Sequence, residues 1–281
     1  VRLRSVRFAL RKKGRRCAKR LFSRQKNSFG RQLARVSAIN YQETVWSDLF
    51  PGNYLTMQCL QPAVLSVESS FDLASMVRKH VLWRLDGGSG TDENLSWLLK
   101  RDYHLLSKGF SGKRANALAR HVTRWDTYDT ETQLGRVVPS FDLGRPIDVL
   151  VKRHWKKEKW RHSYYVTTLT FPSKRAFMDK YNQRGAAEIE QFRTDKSGLH
   201  LSARRKQSLE AQKALVLLTD LCHNLLADFR LRGLADSRFS GWGAKRIVRD
   251  LLAIPGWLYL VDGQVKRIEL HSAHPYADDL I

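Results

Sequence analysis

Residues 80–109 read HVLWRLDGGSGTDENLSWLLKRDYHLLSKG, and the succession of patterns inside them decides the fold class. HVLWRLD is a short apolar run of the kind that forms a buried strand. It ends on Asp86 and meets Gly87, Gly88, Ser89 and Gly90, which stop it. Thr91 is placed as a helix N-cap, with Asn94 where a capping box would carry Glu. Leu95, Leu98 and Leu99 then recur at helical spacing over Asp92–Lys100. Tyr103–Lys108 is again strand-like and Gly112–Val122 again helical. Strand, helix, strand, helix predicts an α/β sheet with at least one parallel pair.

Upstream, Leu33–Ala38 and Glu43–Leu49 are short β-like stretches closed by the turn residues Pro51, Gly52 and Asn53. Tyr54–Phe71 is apolar enough for a helix, provided Pro62 sits near its start. Downstream the pattern changes. Trp125–Tyr128, Gln133–Val138, Ile147–His154 and Tyr164–Thr170 are all strand-like, so β material interrupts the α/β region. Two helices follow, Ser173 to about Thr194 and Gln207–Leu231. The second carries a broad apolar face (Leu209, Leu215, Val216, Leu218, Leu221, Leu225, Leu226) expected to pack into a core. A short helix at Ala244–Leu252, a turn at Pro255-Gly256 and a hairpin around Asp262-Gly263 complete the chain.

The 281 residues suffice for a large buried core, and 42% of them are hydrophobic. Lys and Arg number 50 against 27 Asp and Glu, a formal charge of +23. Fourteen of these cations lie in residues 1–42, where there is no acid at all before Glu43. Such an excess favours a polyanionic partner, of which nucleic acid is the commonest. A membrane partner is not expected, since no apolar run is long enough to span a bilayer. Cys17, Cys59 and Cys222 are far apart and without ligand spacing, which argues against a disulfide scaffold or zinc site and suits a reducing cytoplasm. The basic N-terminus lacks the apolar core of a signal peptide.

Two places could carry chemistry. Asp86 stands at the C-terminal end of a sheet strand, where open α/β sheets bind ligands, though an Asp there also serves as a turn or cap residue. In KYNQRGAAEIEQFRTDK, Tyr181, Arg184 and Glu188 stand at i, i+3 and i+7 and so line one helix face, with Asp195 returning to it two turns on. An Arg–Glu pair one turn apart is equally a common surface ion pair, and the spacing does not choose between these readings.

Tyr181-x2-Arg184-x3-Glu188, followed closely by Lys196, resembles the Tyr–Arg–Glu–Lys signature of bacterial insertion-sequence transposases of the DDE type. WRLDGGSGTDENLSWLLKRDYHLLSKG is similar to that family's strand bearing its second catalytic Asp, with the next helix and strand. FPGN resembles the turn before its first core helix, and GLHLSARRKQSLEAQKALVLLTDLCHNLL the helix that closes its domain. The likeness runs from Gly30 to near the C-terminus. It implies a ribonuclease-H-like α/β fold: a mixed sheet flanked by helices, with a β-rich insertion between the second Asp and the Glu. The organisation expected is a basic segment at 1–30, core at 31–122, insertion at 123–170, core with the Glu helix at 171–235 and a tail at 236–281.

The resemblance further implies that Asp86 and Glu188 are catalytic and bind metal, two Mg²⁺ ions with Mn²⁺ as a substitute. Tyr181, Arg184 and Lys196 would contact the phosphates of the transposon ends. Hard Mg²⁺ prefers carboxylate and phosphate oxygens, and two such ions activate water and stabilise the leaving oxygen in phosphodiester cleavage. Partners would be double-stranded DNA, both element ends and target, and a second copy on paired ends, in the bacterial cytoplasm at the nucleoid. An aromatic residue of the insertion stacks on a displaced base in some relatives, and Trp125, Trp155 and Trp160 are the side chains available here.

The chain also departs from the family. Its first Asp belongs on the first core strand, near residues 3–10, which read Leu3-Arg4-Ser5-Val6-Arg7-Phe8-Ala9-Leu10. Glu188-x6 lands on Asp195, so Lys196 is one residue late. The acid-free start leads to the expectation that the first ~20 residues are out of frame or that the true start lies upstream. The chain is then expected to show no Mg²⁺-dependent cleavage. The function the resemblance implies is metal-dependent DNA cleavage and strand transfer at insertion-sequence ends, by a copy left inactive if the first Asp is missing; the alternatives are a non-catalytic DNA-binding transposase remnant and a basic RNA-binding module, which exposed aromatics on a sheet would support.

Overall fold

The computed structural model of the chain describes residues 2–9, 19–23, 26–183, 195–201, 206 and 208–280, with side chains from Gly30 onward. Strands β1 (Arg2–Ala9), β2 (Lys19–Ser23), β3 (Lys26–Ala38) and β4 (Glu43–Pro51) come first. β3 pairs antiparallel with each of the other three. The expected helix at 54–71 is a 3₁₀ turn, Thr56–Cys59, running into α1 (Leu60–Ser70). Pro62 falls in the first turn of α1, where no backbone N–H is needed.

A single turn of helix, α2 (Ser75–Arg78), leads to β5 (Leu82–Leu85), α3 (Asp92–Lys100), β6 (His104–Lys108) and α4 (Gly112–Ala119). Here the alternation read from the sequence is realised. β5 lies parallel to β6 on one side and parallel to β1 on the other. Thr91 caps α3 and Ser111 caps α4, each side chain accepting the backbone N–H three residues on.

The β-rich stretch folds as β7 (Trp125–Thr127), β8 (Thr132–Val137), β9 (Asp148–Lys156) and β10 (Lys159–Thr167). β10 pairs antiparallel with β6, so these strands extend the main sheet. Among the described residues ten strands share that sheet, in the order β2-β3-β1-β5-β6-β10-β9-β8-β7 with β4 on β3. Joining β6 covers an edge whose peptide groups would otherwise lie open. The β9–β10 connection turns through Lys157 and Glu158, both at positive φ, a geometry that favours Gly or Asn and that neither residue announces in the sequence.

Alternation along the strands divides the core. Ala34, Val36, Trp83, Leu85, Val149 and Val151 face α1, α3 and α4. On the opposite face Leu106, Leu134, Leu150 and Tyr165 pack against Phe177, Met178 and Tyr181 of α5 (Lys174–Asn182). Leu33 and Leu49, further along that face, meet Val216 of α6 (Leu209–Asp228). Helices thus cover both sides of a mixed sheet. The orientation of α6 differs from the expected one: Leu218, Leu221 and Leu225 are exposed, while Thr219, Asp220 and His223 are buried. Its inward face is polar because the sheet beneath presents a buried charge, Arg35. The final hairpin forms as β11 (Gly256–Val261) and β12 (Gln264–Leu270), with Asp262 and Gly263 at positive φ in the turn.

Candidate functional site

Asp86 follows the last residue of β5, at the open end of the parallel pair formed with β6. Its Oδ1 accepts the Gly88 N–H at 2.9 Å, and its carbonyl accepts the Ser89 N–H at 3.2 Å. The side chain therefore fixes its own turn, the bland role open to it in the sequence. Asn94, in place of a capping-box Glu, does something else: its Nδ2 donates to the carbonyls of Met57 (3.0 Å) and Ser89 (3.3 Å). It ties the turn to the segment before α1. Gly90 is obligatory, because a Cβ there would overlap the Lys108 carbonyl oxygen of β6.

β1 occupies the position between β3 and β5 where the resemblance wants the first Asp. Arg2 is the partner of Arg84 in the parallel ladder, so counting on by two residues brings Arg4 level with Asp86. Across the antiparallel ladder Arg4 pairs with Arg35. At this level of the sheet the residue on β1 is basic, and no shift along Arg2–Ala9 brings in an acid.

α5 ends against the strand that leads to Asp86. The Arg84 guanidinium is buried, and its Nη1 donates to the Lys180 carbonyl at 3.4 Å. A cation suits the C-terminal end of a helix, although burial holds this guanidinium below its ordinary pKa. Tyr181, expected on phosphate, is a core residue: it is 2% exposed, with its ring edge-on to Tyr165 at 4.6 Å. A side chain so enclosed offers no surface to DNA. Lys196 is exposed, as a phosphate contact requires. Arg184 and Glu188 lie outside the described residues. The structure thus brings the helix of Tyr181 to the strand of Asp86, and places Lys196 beside a different feature.

That feature is a buried charge cluster absent from the sequence reading apart from Asp195. Arg35 of β3 bonds with Nη1 to Asp195 and with Nη2 to Asp220 of α6. The second carboxylate oxygen of Asp220 accepts from the Ser47 hydroxyl on β4. The ring nitrogens of His223 lie against two oxygens, Asp195 Oδ1 at 2.8 Å and the Gln42 carbonyl at 2.9 Å. Burial pushes the Asp195 carboxyl up, but His223 and Arg35 outweigh it and hold it below the ordinary range. For Asp220 burial prevails over Arg35 and raises the carboxyl. The signal was present in the sequence: Arg35 shares a strand face with Leu33 within the apolar stretch Leu33–Val36, and Asp220 and His223 stand one turn apart in a leucine-rich helix.

Among the described residues no three His, Cys, Asp or Glu side chains converge as a metal site. Asp86 itself keeps Oδ1 engaged in its own turn.

The extended sheet holds a second candidate surface. Arg153 is sandwiched between Trp125 (4.3 Å) and Trp160 (4.6 Å) and bonds to Gln133 at 2.8 Å. These two tryptophans are committed to packing. Trp155 meets Trp160 edge-on at 5.1 Å yet stays 44% exposed, beside the exposed Lys156, Lys157 and Lys159 of the hairpin tip. No described helix is long and apolar enough to cross a membrane.

No protein-family model and no curated protein matches the chain. It is similar in structure to the chain in a cryo-EM structure of a piggyBac transposase synaptic complex with hairpin DNA. The TM-score is 0.51 and the sequence identity 13%, over 83% of this chain and 48% of that one. The chain thus spans about half the length of that transposase. At this identity the likeness is one of fold alone, a mixed sheet flanked by helices.

Proposed function

We propose that this chain is the ribonuclease-H-like core of a DDE-type transposase of insertion-sequence kind, and that it holds double-stranded DNA at element ends without cutting it. One observation supports the reading: β1 lies beside β5 in the sheet, and the β1 position level with Asp86, where the resemblance wants the first Asp, is Arg4. The arrangement retains the frame of such a site and replaces an acid with a base. A basic residue at that ladder position favours phosphate, whereas two divalent ions require another carboxylate. The net charge of +23 supports a phosphate-rich partner. Among the described residues predicted to bind phosphate, Lys196 is exposed.

Fluorescence anisotropy with a labelled duplex tests the binding half. Affinity is expected to fall linearly on a log–log plot against salt, with a slope near −0.9 for each phosphate neutralised. Incubation of the same duplex with Mg²⁺ or Mn²⁺ tests the other half, and no nicked product is expected. Metal-dependent nicking that disappears in Asp86→Ala would overturn the non-cutting reading, and failure to bind duplex at low salt would overturn the whole.

Trp155 refines the binding surface. An exposed indole among lysines offers a face on which an unpaired base stacks, at roughly 1–3 kcal/mol per base. Trp155→Ala is therefore expected to weaken binding of DNA with a flipped or unpaired base about 10-fold or more. Binding of fully paired duplex should change little. Equal losses on both substrates would show that the indole acts only by packing on Trp160.

A further inference from the structure

Residues 195–201 form a short segment pinned at both ends. At the first end the Asp195 carboxylate is fully buried, bonds to Arg35 of β3 and lies 2.8 Å from Nδ1 of His223 on α6. At the other end Leu201 is buried against Leu33, Leu49 and Val216. The Leu201 N–H donates to the Asp195 carbonyl at 2.9 Å and closes the segment on itself. Lys196 is the first residue after the pin, and it is exposed. A buried carboxylate tied to two elements therefore fixes the point from which an outward lysine starts.

The pin also has a defined place in the sheet. Arg35 stands between Arg4 of β1 and Ser47 of β4 in the ladders on its two sides. Since Arg4 is level with Asp86, Arg35 lies two strands from Asp86 on one level of the sheet. That is about 10 Å at the usual strand spacing. About three phosphates of one DNA strand cover the distance. One stretch of backbone can therefore pass both the end of β5 and the segment that carries Lys196.

We infer that Asp195 is a positioning residue for Lys196: by holding the backbone of its neighbour against β3 and α6, it presents the ammonium to DNA phosphate in a preset place. The inference rests on the reading of Lys196 as a phosphate contact given above. Binding is tighter when the contacting group is already ordered, and lysine has more freedom to lose than most side chains. The cluster is also more than a fastening requires, because apolar packing of similar volume often holds a core as well as a buried ion pair does. Finally, an acid in a protein of charge +23 works against an anionic partner by its charge alone. Its hold on the adjacent lysine accounts for an acid at this place.

Fluorescence anisotropy of a labelled duplex over a salt series tests it, on the full chain as wild type, Lys196→Ala, Asp195→Asn and the double variant. Lys196→Ala is expected to weaken binding about 10-fold and to flatten the log–log salt dependence by about 0.9. Asp195→Asn should produce the same two changes, although it removes a negative charge. The double variant should bind no more weakly than either single one. A role confined to stability predicts otherwise at a temperature where the variants are folded. Asp195→Asn would then bind duplex as tightly as the wild type or more tightly, and Lys196→Ala would lose the same affinity in both backgrounds. Either result overturns the inference and leaves duplex binding standing, as does a Lys196→Ala variant that binds like the wild type. A wild type that does not bind duplex overturns the proposed function and this inference with it. Should Asp195→Asn not fold, His223→Gln carries the same cycle with the same outcomes, because it keeps the Arg35 pair and alters only the second tie.

Discussion

Replacing Arg35 with methionine is expected to lower the unfolding free energy by about 3–5 kcal/mol, read from the denaturant midpoint at neutral pH. Arg35 is almost completely buried and bonds to two carboxylates, Asp195 and Asp220, that face it from separate segments. Methionine keeps the stem and removes the charge, leaving both carboxylates buried and close together. The two acids are not equivalent. Asp195 is held below its ordinary pKa by His223 and Arg35 in spite of burial, so it favours the folded state. Its contribution is fully present above the unfolded value of about 4 and is lost as pH falls through the lower folded value. Asp220 is raised by burial, so its ionised form opposes folding at neutral pH. Asp195→Asn should therefore cost clearly more stability at pH 7 than Asp220→Asn. The gap between them should narrow as the pH is lowered below 4. Adding Asp220→Asn to Arg35→Met should recover part of the loss. A cost under about 1 kcal/mol for Arg35→Met would mean that water or a rearranged neighbour compensates the carboxylates.

Gly90→Ala is the second large effect expected, a loss of about 3 kcal/mol, at the upper end of what overpacking costs. The added methyl would overlap the Lys108 carbonyl oxygen and come within 2.9 Å of Ser107 Oγ. The obstacle is backbone of a central parallel strand, which cannot swing aside as a side chain tip can. The turn that Asp86 fixes would have to move away from β6, and the N-cap of α3 at Thr91 with it. Gly112→Ala provides the contrast. Nothing lies within 4 Å of a Cβ there, and alanine favours the first turn of α4, so its effect should be neutral or slightly stabilising. A thermal melt of the two variants separates them. Equal melting temperatures would show that the β5–α3 turn has more room than its geometry indicates.

Much of this architecture was legible locally. Thr91 and Ser111 announce the starts of α3 and α4, glycines end β5 after Asp86, and Asp262-Gly263 closes a hairpin, because caps and turns are settled by residues a few positions apart. Helix α6 shows where local reading fails. Its leucines were expected inward, but helical spacing records only that a face is apolar, and Arg35 on a strand some 180 residues away selected Asp220 and His223 as the buried side. The turn at Lys157-Glu158 left no mark because its positive φ values are imposed by strand pairing on residues that do not prefer them.

The candidate site divides in the same way. By itself the sequence placed Asp86 at a strand end, supplied the +23 charge and withheld any acid before Glu43. It did so because composition and short-range pattern are properties of the chain alone. Only the tertiary structure decided that Arg4 stands level with Asp86, that Tyr181 is enclosed, that Trp155 is the open indole of three, and that Asp195 belongs to a buried cluster. Each of these depends on which strands become neighbours and which helix face meets the sheet, and both are fixed by contacts between residues far apart in sequence.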